Sequence, residues 1–262
     1  MIVDVDEDRL LITSDTHIGS FFCNARRGFA GFLEYACAHR WNVCINGDGI
    51  DVVHTSLRRI TTEGMGMLRE LQRASKSITI YYTVGNHDLI LEHSIGEWGG
   101  LKLVPFLNVR SGSKRIRVEH GHLYDPFLIN HPDLQHALTR FSGYLCRLYP
   151  PWYYWHEGYK IFRHKYVARL KGERNHGPAG APTDNPRYLD AAEEVSERGF
   201  DAVIFGHTHH QAVLPLNRGR STYYNTGSWF KQPYYLVLDR GELALKKWQG
   251  PPSGPPSVAE ST

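Results

Sequence analysis

Cysteine is scarce: only Cys23, Cys37, Cys44 and Cys146 occur in 262 residues. None falls in the paired short spacing of a zinc ribbon or a redox CxxC motif. They read as free thiols in a reducing compartment. No segment reaches the run of about 18 apolar residues that a spanning helix needs. Met1–Arg9 is acidic and lacks the apolar core of a secretion signal, so a cytoplasmic protein is expected. Charge of one sign is not in excess either. Lys and Arg number 30 against 27 Asp and Glu, a formal net charge of +3. That balance tolerates an anionic substrate, but it is not the footprint of a dedicated nucleic-acid binder.

What is present is an ordinary globular composition, 41% hydrophobic and 22% charged, on a chain long enough to bury a large core. One domain over residues 1–249 is expected, carrying an insertion. The Pro/Gly/Ser-rich residues 250–262 read as a disordered tail. Short β-rich runs recur, and each ends in polar side chains. Leu10–Ser14 runs into Asp15-Thr16-His17, Trp41–Asn46 into Gly47-Asp48, and Ile78–Val84 into Gly85-Asn86-His87-Asp88. Arg115–Glu119 runs into His120-Gly121-His122, and Ala202–Phe205 into Gly206-His207-Thr208-His209. Helical periodicity lies between the first of them, over about Arg26–Arg40 and Thr62–Lys76. Strands alternating with helices predict a parallel sheet, whose ligands sit beyond the carboxyl ends of the strands. Thr222–Asn225 and Tyr234–Trp248, with a turn at Asp239-Arg240-Gly241, predict antiparallel strands closing a second sheet.

The stretch from about 127 to 183 has a different pattern. Leu134, Leu138, Phe141, Leu145 and Leu148 keep helical spacing after His131-Pro132-Asp133, and Pro150-Pro151 ends that helix. A second helix carries Trp155, Tyr159, Phe162, Tyr166 and Leu170 on one face and Lys160, Arg163, Lys165, Arg169 and Lys171 on the other. Together they predict a helical hairpin inserted as a cap. Asn175–Thr183 reads as a loop. A final helix starts near Asp184 or Asn185, with Pro186 in its first turn and Gly199 at its end.

Singly, a DxH or GD motif is more often ordinary surface or turn. Jointly, five strand ends in order present DTH, GD, GNHD, HGH and GHTH, all oxygen or imidazole donors. Buried unpaired carboxylates are costly, so such a cluster calls for a cation.

This set resembles the five signature motifs of the calcineurin-like metallophosphoesterase family, over about Leu10 to Gly227. The resemblance implies a four-layer α/β/β/α sandwich, here with the inserted helical hairpin cap, and a dinuclear-metal hydrolase. It implies one divalent ion held by Asp15, His17, Asp48 and His209, and a second by Asp48, Asn86, His120 and His207. Asp48 would bridge. Two ions about 3.5–4 Å apart would polarise a phosphoryl group and deliver a metal-bound hydroxide in line. Mixed N/O ligation suits Mn, Fe, Zn or Co better than Ca or Mg, with Mn the expected ion. His87 is implied as the residue that protonates the leaving-group oxygen. Asp51 orients it in relatives; Asp88 is the competing partner, and Asp51 is preferred. His122 reads as substrate-facing or structural, His210 as solvent-facing, and His54 as a residue that could meet a phosphate. Asn225-Thr226-Gly227-Ser228 resembles a turn that packs behind the metal loops and has no catalytic role.

Family membership fixes a reaction class better than a substrate. The hairpin offers one further signal, nine aromatics between Phe141 and Phe162, including Trp152-Tyr153-Tyr154-Trp155. They either pack the helices together or clasp an apolar substrate part, with the basic face meeting phosphates or a membrane surface. The insertion resembles that of UDP-2,3-diacylglucosamine pyrophosphatases, which implies a lipid-nucleotide substrate and peripheral membrane contact. Two departures stand against it: His87 where the best-known members carry Arg, and His122 where many carry Asp. A cyclic-nucleotide phosphodiesterase or nuclease on the same core is the alternative enzyme. A nucleic-acid polymer is disfavoured by the cap and the mild charge. A non-catalytic scaffold would need neither the full ligand set nor His87.

Overall fold

The computed structural model describes residues 2–20, 25–52, 57–131, 184–229 and 232–258, with isolated positions between 134 and 149. Most of the expected hairpin, its basic face, the Asn175–Thr183 loop and His54 lie outside the described residues. The described positions 134, 137, 138, 141, 144, 145 and 148 are helical.

Two mixed sheets form the centre. The first contains β2 (Arg9–Thr13), β3 (Asn42–Asn46), β4 (Ile80–Thr83), β5 (Gly96–Trp98), β6 (Leu101–Val104), β12 (Tyr234–Asp239) and β13 (Glu242–Lys247), in the order β13-β12-β2-β3-β4-β6-β5. The second contains β1 (Ile2–Asp6), β7 (Phe106–Ser111), β8 (Lys114–Val118), β9 (Ala202–Phe205), β10 (Gln211–Leu216) and β11 (Ser221–Thr226), in the order β1-β7-β8-β9-β11-β10. Successive residues of a strand face opposite sides, and the core follows that alternation. Leu10, Ile12, Cys44 and Tyr81 meet Leu107, Val109, Ile116, Val118 and Ile204 between the sheets. Leu11, Val43, Ile45, Ile80 and Tyr82 point the other way, toward α1 (Ala25–His39) and α2 (Met65–Ala74). On the far face of the second sheet, Val203, Phe205 and Tyr223 pack beneath α3 (Pro186–Ser196). The layers are therefore α/β/β/α, as the family resemblance implies.

Phe32 of α1 anchors the first outer layer, its ring 5.3 Å from those of Trp229 and Tyr235 and 5.4 Å from that of Trp248. The start of α3 is capped by Asn185, whose side chain accepts from Arg187 N at 3.2 Å, with Pro186 in the first turn. A five-residue π-helical stretch, Ile60–Gly64, runs directly into α2.

Two expectations from the sequence need correction. The C-terminal strands do not stay together in a second sheet. β11 pairs in parallel with β9, whereas β12 pairs antiparallel with β2 in the first sheet. Trp229, three residues past β11, is buried under α1 in the outer layer of the first sheet. Nor do residues 250–258 lie free as part of a disordered tail. Tyr35 Oη donates to the Gly254 carbonyl at 2.9 Å, Pro256 is buried, and Val258 packs against the α1 cluster. Composition pointed to disorder because it counts no partner surface, and the outer face of α1 supplies one.

Candidate metal centre

All five motifs fall at one end of the sandwich, three on the first sheet and two on the second. Each ligand candidate sits two to four residues past its strand, where the backbone must turn sharply. Asp15, His17, Asp48, His207 and His209 all have positive φ, between 44 and 67°. A side chain in the left-handed region costs energy, and such strain persists only where the surroundings impose it. Backbone bonds between motifs supply that constraint: Asp15 N donates to Gly47 O and His17 N to Asp48 O. Gly85 lets these turns approach, because a Cβ there would collide with the Asp48 carboxylate.

The side chains converge. Ligand-capable atoms of Asp15, His17 and His209 lie within 4.8 Å of one another, as do those of Asp48, His120 and His207. His17, Asp48 and His87 form a third such group, so Asp48 adjoins both neighbours. His209 Nε2 is 3.1 Å from Asp15 Oδ1 and 3.1 Å from His17 Nε2; His120 Nε2 is 3.3 Å from Asp48 Oδ2. Asn86 Oδ1 joins through His207 Nδ1 at 2.8 Å. Thus all seven residues singled out from the sequence meet at one place.

The donor set fits divalent cations. Among the described residues, buried Asp15 Oδ1 and His120 Nε2 make no hydrogen bond of good geometry, although His209 Nε2 lies 3.1 Å from the first and Asp48 Oδ2 3.3 Å from the second. Leaving such atoms unsatisfied is costly, and a cation would satisfy both. The field points the same way. Burial by itself would raise Asp48, but the imidazoles of His120, His87 and His17 overcome it and hold its carboxyl well below the ordinary range. Asp15 is held low in the same manner, by His120, His17 and His209 against burial. Conversely, burial opposes charge on His120, yet Asp48 and Asp15 push it up to about 10. A site that holds protons this tightly without metal holds the negative potential a divalent ion needs.

Asp51 and Asp88 separate clearly. Asp51 Oδ1 is 3.3 Å from His87 Nδ1, and its other oxygen is 4.0 Å from His17 Nδ1. Asp88 is occupied elsewhere, accepting from Gly85 N at 2.7 Å, from Gly49 N at 2.9 Å and from the Tyr82 hydroxyl. It staples two motif loops together. Burial and nearby Asp48 raise it to about 6. Burial resists charge on His87 as well, but Asp48 and Asp51 raise it to about 9.

His122 is buried beside His120, with ring centroids 5.5 Å apart, and burial together with His120 and His207 lowers it to about 3. It is therefore a neutral imidazole. His210 is exposed. Asn225 lies behind the last motif, its amide donating to Gly206 O at 3.1 Å. Three contributors escaped the sequence reading. Asp125 Oδ2 lies 3.5 Å from His207 Nε2, Tyr188 lies 5.9 Å from the His207 ring, and Asp184 accepts from Thr208. None belongs to a motif, and Asp184 reads in sequence only as a helix start.

These observations define a two-sheet α/β sandwich with adjoining Asp/His groups able to bind metal. A family model for calcineurin-like phosphoesterases matches residues 8–211. The chain belongs to that family. No curated protein matches it. Among solved structures, a single mutant of Vps29 from Entamoeba histolytica is 14% identical, covering 91% of each chain, with a TM-score of 0.46. A predicted phosphoesterase from Streptococcus pneumoniae TIGR4 is 14% identical, covering 92% of this chain and 98% of that one, with a TM-score of 0.36. The cold-active protein-tyrosine phosphatase of a Shewanella species is 13% identical, covering 95% and 82%, with a TM-score of 0.44. Among the described residues no helix is long and apolar enough to cross a membrane.

Proposed function

We propose that the protein is a metal-dependent hydrolase of phosphate esters or anhydrides. The observation that carries this reading is the convergence of seven donors from five strand ends into adjoining groups. Asp15, His17 and His209 would hold one ion, Asn86, His120 and His207 the other, and Asp48 would touch both. When bound, two such ions supply Lewis acidity at the phosphoryl oxygens and an activated water for in-line displacement. The protein's own part is then proton transfer. Asp51 engages His87 Nδ1, which leaves Nε2 as the atom that gives a proton to the departing oxygen. Mn, Fe, Zn and Co all suit this ligand set, and Mn is the ion to test first.

The substrate we propose is a nucleotide–lipid pyrophosphate such as UDP-2,3-diacylglucosamine, with water added across the P–O–P link to give UMP and a lipid phosphate. Supporting it is the apolar stripe that enters the insertion: Leu134, Leu138, Phe141 and Leu148 are between 49 and 65% exposed. That exposure leaves the stripe available to an apolar partner. The same surface would touch a membrane peripherally. The test is metal analysis of purified protein, then Mn-supported turnover of a chromogenic diester, a chromogenic monoester, nucleotide-sugar pyrophosphates and the lipid nucleotide. UMP release from the last is expected. Turnover of generic diesters alone would remove the lipid assignment, and a metal-loaded protein inert on the whole panel would remove the hydrolase.

A further inference from the structure

Asp125 and Asp184 flank the segment 126–183, and both reach the same short turn. Asp125 Oδ2 is 3.5 Å from His207 Nε2, while its Oδ1 meets Leu128 N at 3.5 Å. Asp184, only 8% exposed, takes three donors on Oδ2: Thr208 Oγ1 at 3.0 Å, Tyr223 Oη at 2.7 Å and Asn225 Nδ2 at 2.9 Å. Its Oδ1 accepts from Asn185 N at 2.7 Å. Thr208 stands between His207 and His209, one residue for each proposed ion.

We infer that Asp125 and Asp184 are positioning residues that hold the His207-Thr208-His209 turn in its ligating geometry. This rests on the reading of His207 and His209 as metal ligands. An imidazole ligates through one nitrogen, and the partner of the other nitrogen fixes its tautomer and ring angle. His120 already shows the pattern, with Nδ1 against the Asn46 carbonyl at 2.9 Å and Nε2 turned to Asp48. For His207 the arrangement is reversed. Nδ1 lies with Asn86 in the centre, and Nε2 faces the Asp125 carboxylate. Asp184 acts one bond further out. Both of its oxygens face donors, so an amide in its place would set its own NH2 against one of them. The left-handed backbone of His207 and His209, with φ of 67 and 60°, needs such a support.

The experiment is a Co(II) titration of the metal-stripped full chain, read by calorimetry and visible absorption. Wild type, Asp125→Ala, Asp184→Asn and the exposed control Asp190→Ala are compared. Asp125→Ala should weaken one equivalent of Co(II) by about 10–100-fold and alter its ligand-field spectrum, leaving the other equivalent unchanged. Asp184→Asn should weaken both, and Asp190→Ala neither. If Asp184→Asn fails to fold by circular dichroism, Thr208→Val, which replaces the hydroxyl with a methyl, should weaken both equivalents and Thr208→Ser, which keeps the hydroxyl, should bind both as wild type does. Folded Asp125→Ala and Asp184→Asn with wild-type affinities and spectra would overturn the inference while leaving the hydrolase reading intact. A wild type that takes up no Co(II) would overturn both.

Discussion

His87 is half-buried beside three carboxylates, and Asp48 and Asp51 outweigh the cost of desolvation and raise it to about 9, which keeps the ring charged at neutral pH in the metal-free protein. With Nδ1 taken by Asp51, its remaining nitrogen is 3.9 Å from Asp48 Oδ2 and inside the centre. His87→Ala should therefore keep both metal ions but lower kcat by about 10²–10⁴-fold on substrates with poor leaving groups. The loss should shrink on nitrophenyl esters, whose leaving group needs no proton. Equal losses on both substrates, with metal content intact, would assign His87 a role other than proton donor. Gly85 is the complementary case, since its importance lies in the atom it lacks. Gly85→Ala would push a methyl into Asp48, costing about 1–3 kcal/mol of overpacking and displacing the shared carboxylate. Reduced metal stoichiometry together with a lower Tm is the expected result. The donors were legible in the sequence as a joint pattern of five strand ends, not singly. The choice between Asp51 and Asp88 was not, because both are near His87 in the chain and only the folded loops show which carboxylate is already engaged by Gly49, Gly85 and Tyr82.

Strand ends and the turns after them form the next scale. The β-rich runs that ended in motifs were readable because a buried strand is a continuous apolar stretch and its polar terminus is abrupt. β1, β5, β6, β7 and β10 were missed. β1 shows why: Val3 and Val5 face the core while Asp4 and Asp6 are exposed, so an alternating strand reads as an acidic terminus. Helix α1 was placed to within a residue at each end, its Phe29, Phe32, Leu33 and Ala36 lying on one buried face. Phe32 is fully buried among Phe29, Trp229, Tyr235 and Trp248. Phe32→Ala should cost about 3–5 kcal/mol, measurable by urea unfolding, without changing metal affinity in the folded protein. A cost near zero would mean that α1 is not a stabilising layer.

At the scale of the whole molecule, pH and metal are linked. His87 and His120 have folded-state values of about 9 and about 10, against about 6.5 in an unfolded chain. Values raised on folding contribute stability that is complete below the unfolded pKa and is lost as pH rises through the folded one. Asp88, at about 6, has the same sign but has finished titrating by pH 7; His122, at about 3, acts in the opposite sense only below its ordinary range. Chelator-treated protein should therefore melt at a lower temperature at pH 10 than at pH 7. Divalent metal should recover the share owed to these two histidines, since cations take over the role of their protons; buried groups such as Cys44 and Tyr82, also raised by burial, give a loss of the same sign that metal leaves in place. A Tm that holds steady or rises between the two pH values without metal would show that the carboxylates do not sustain this field.

By itself the sequence determined the family and which Asp, Asn and His side chains follow each strand, because residue type and strand boundary are local properties. Which sheet each strand joins was decided only in three dimensions. β12 returns to β2 while β11 stays with β9, and residues 250–258 find a surface on α1, since pairing and burial depend on partners far away in the chain. The same holds for the support of the last motif. Asp125 and Asp184 are ordinary aspartates along the chain, and they become neighbours of His207 and Thr208 only because the fold returns both ends of the insertion to one turn.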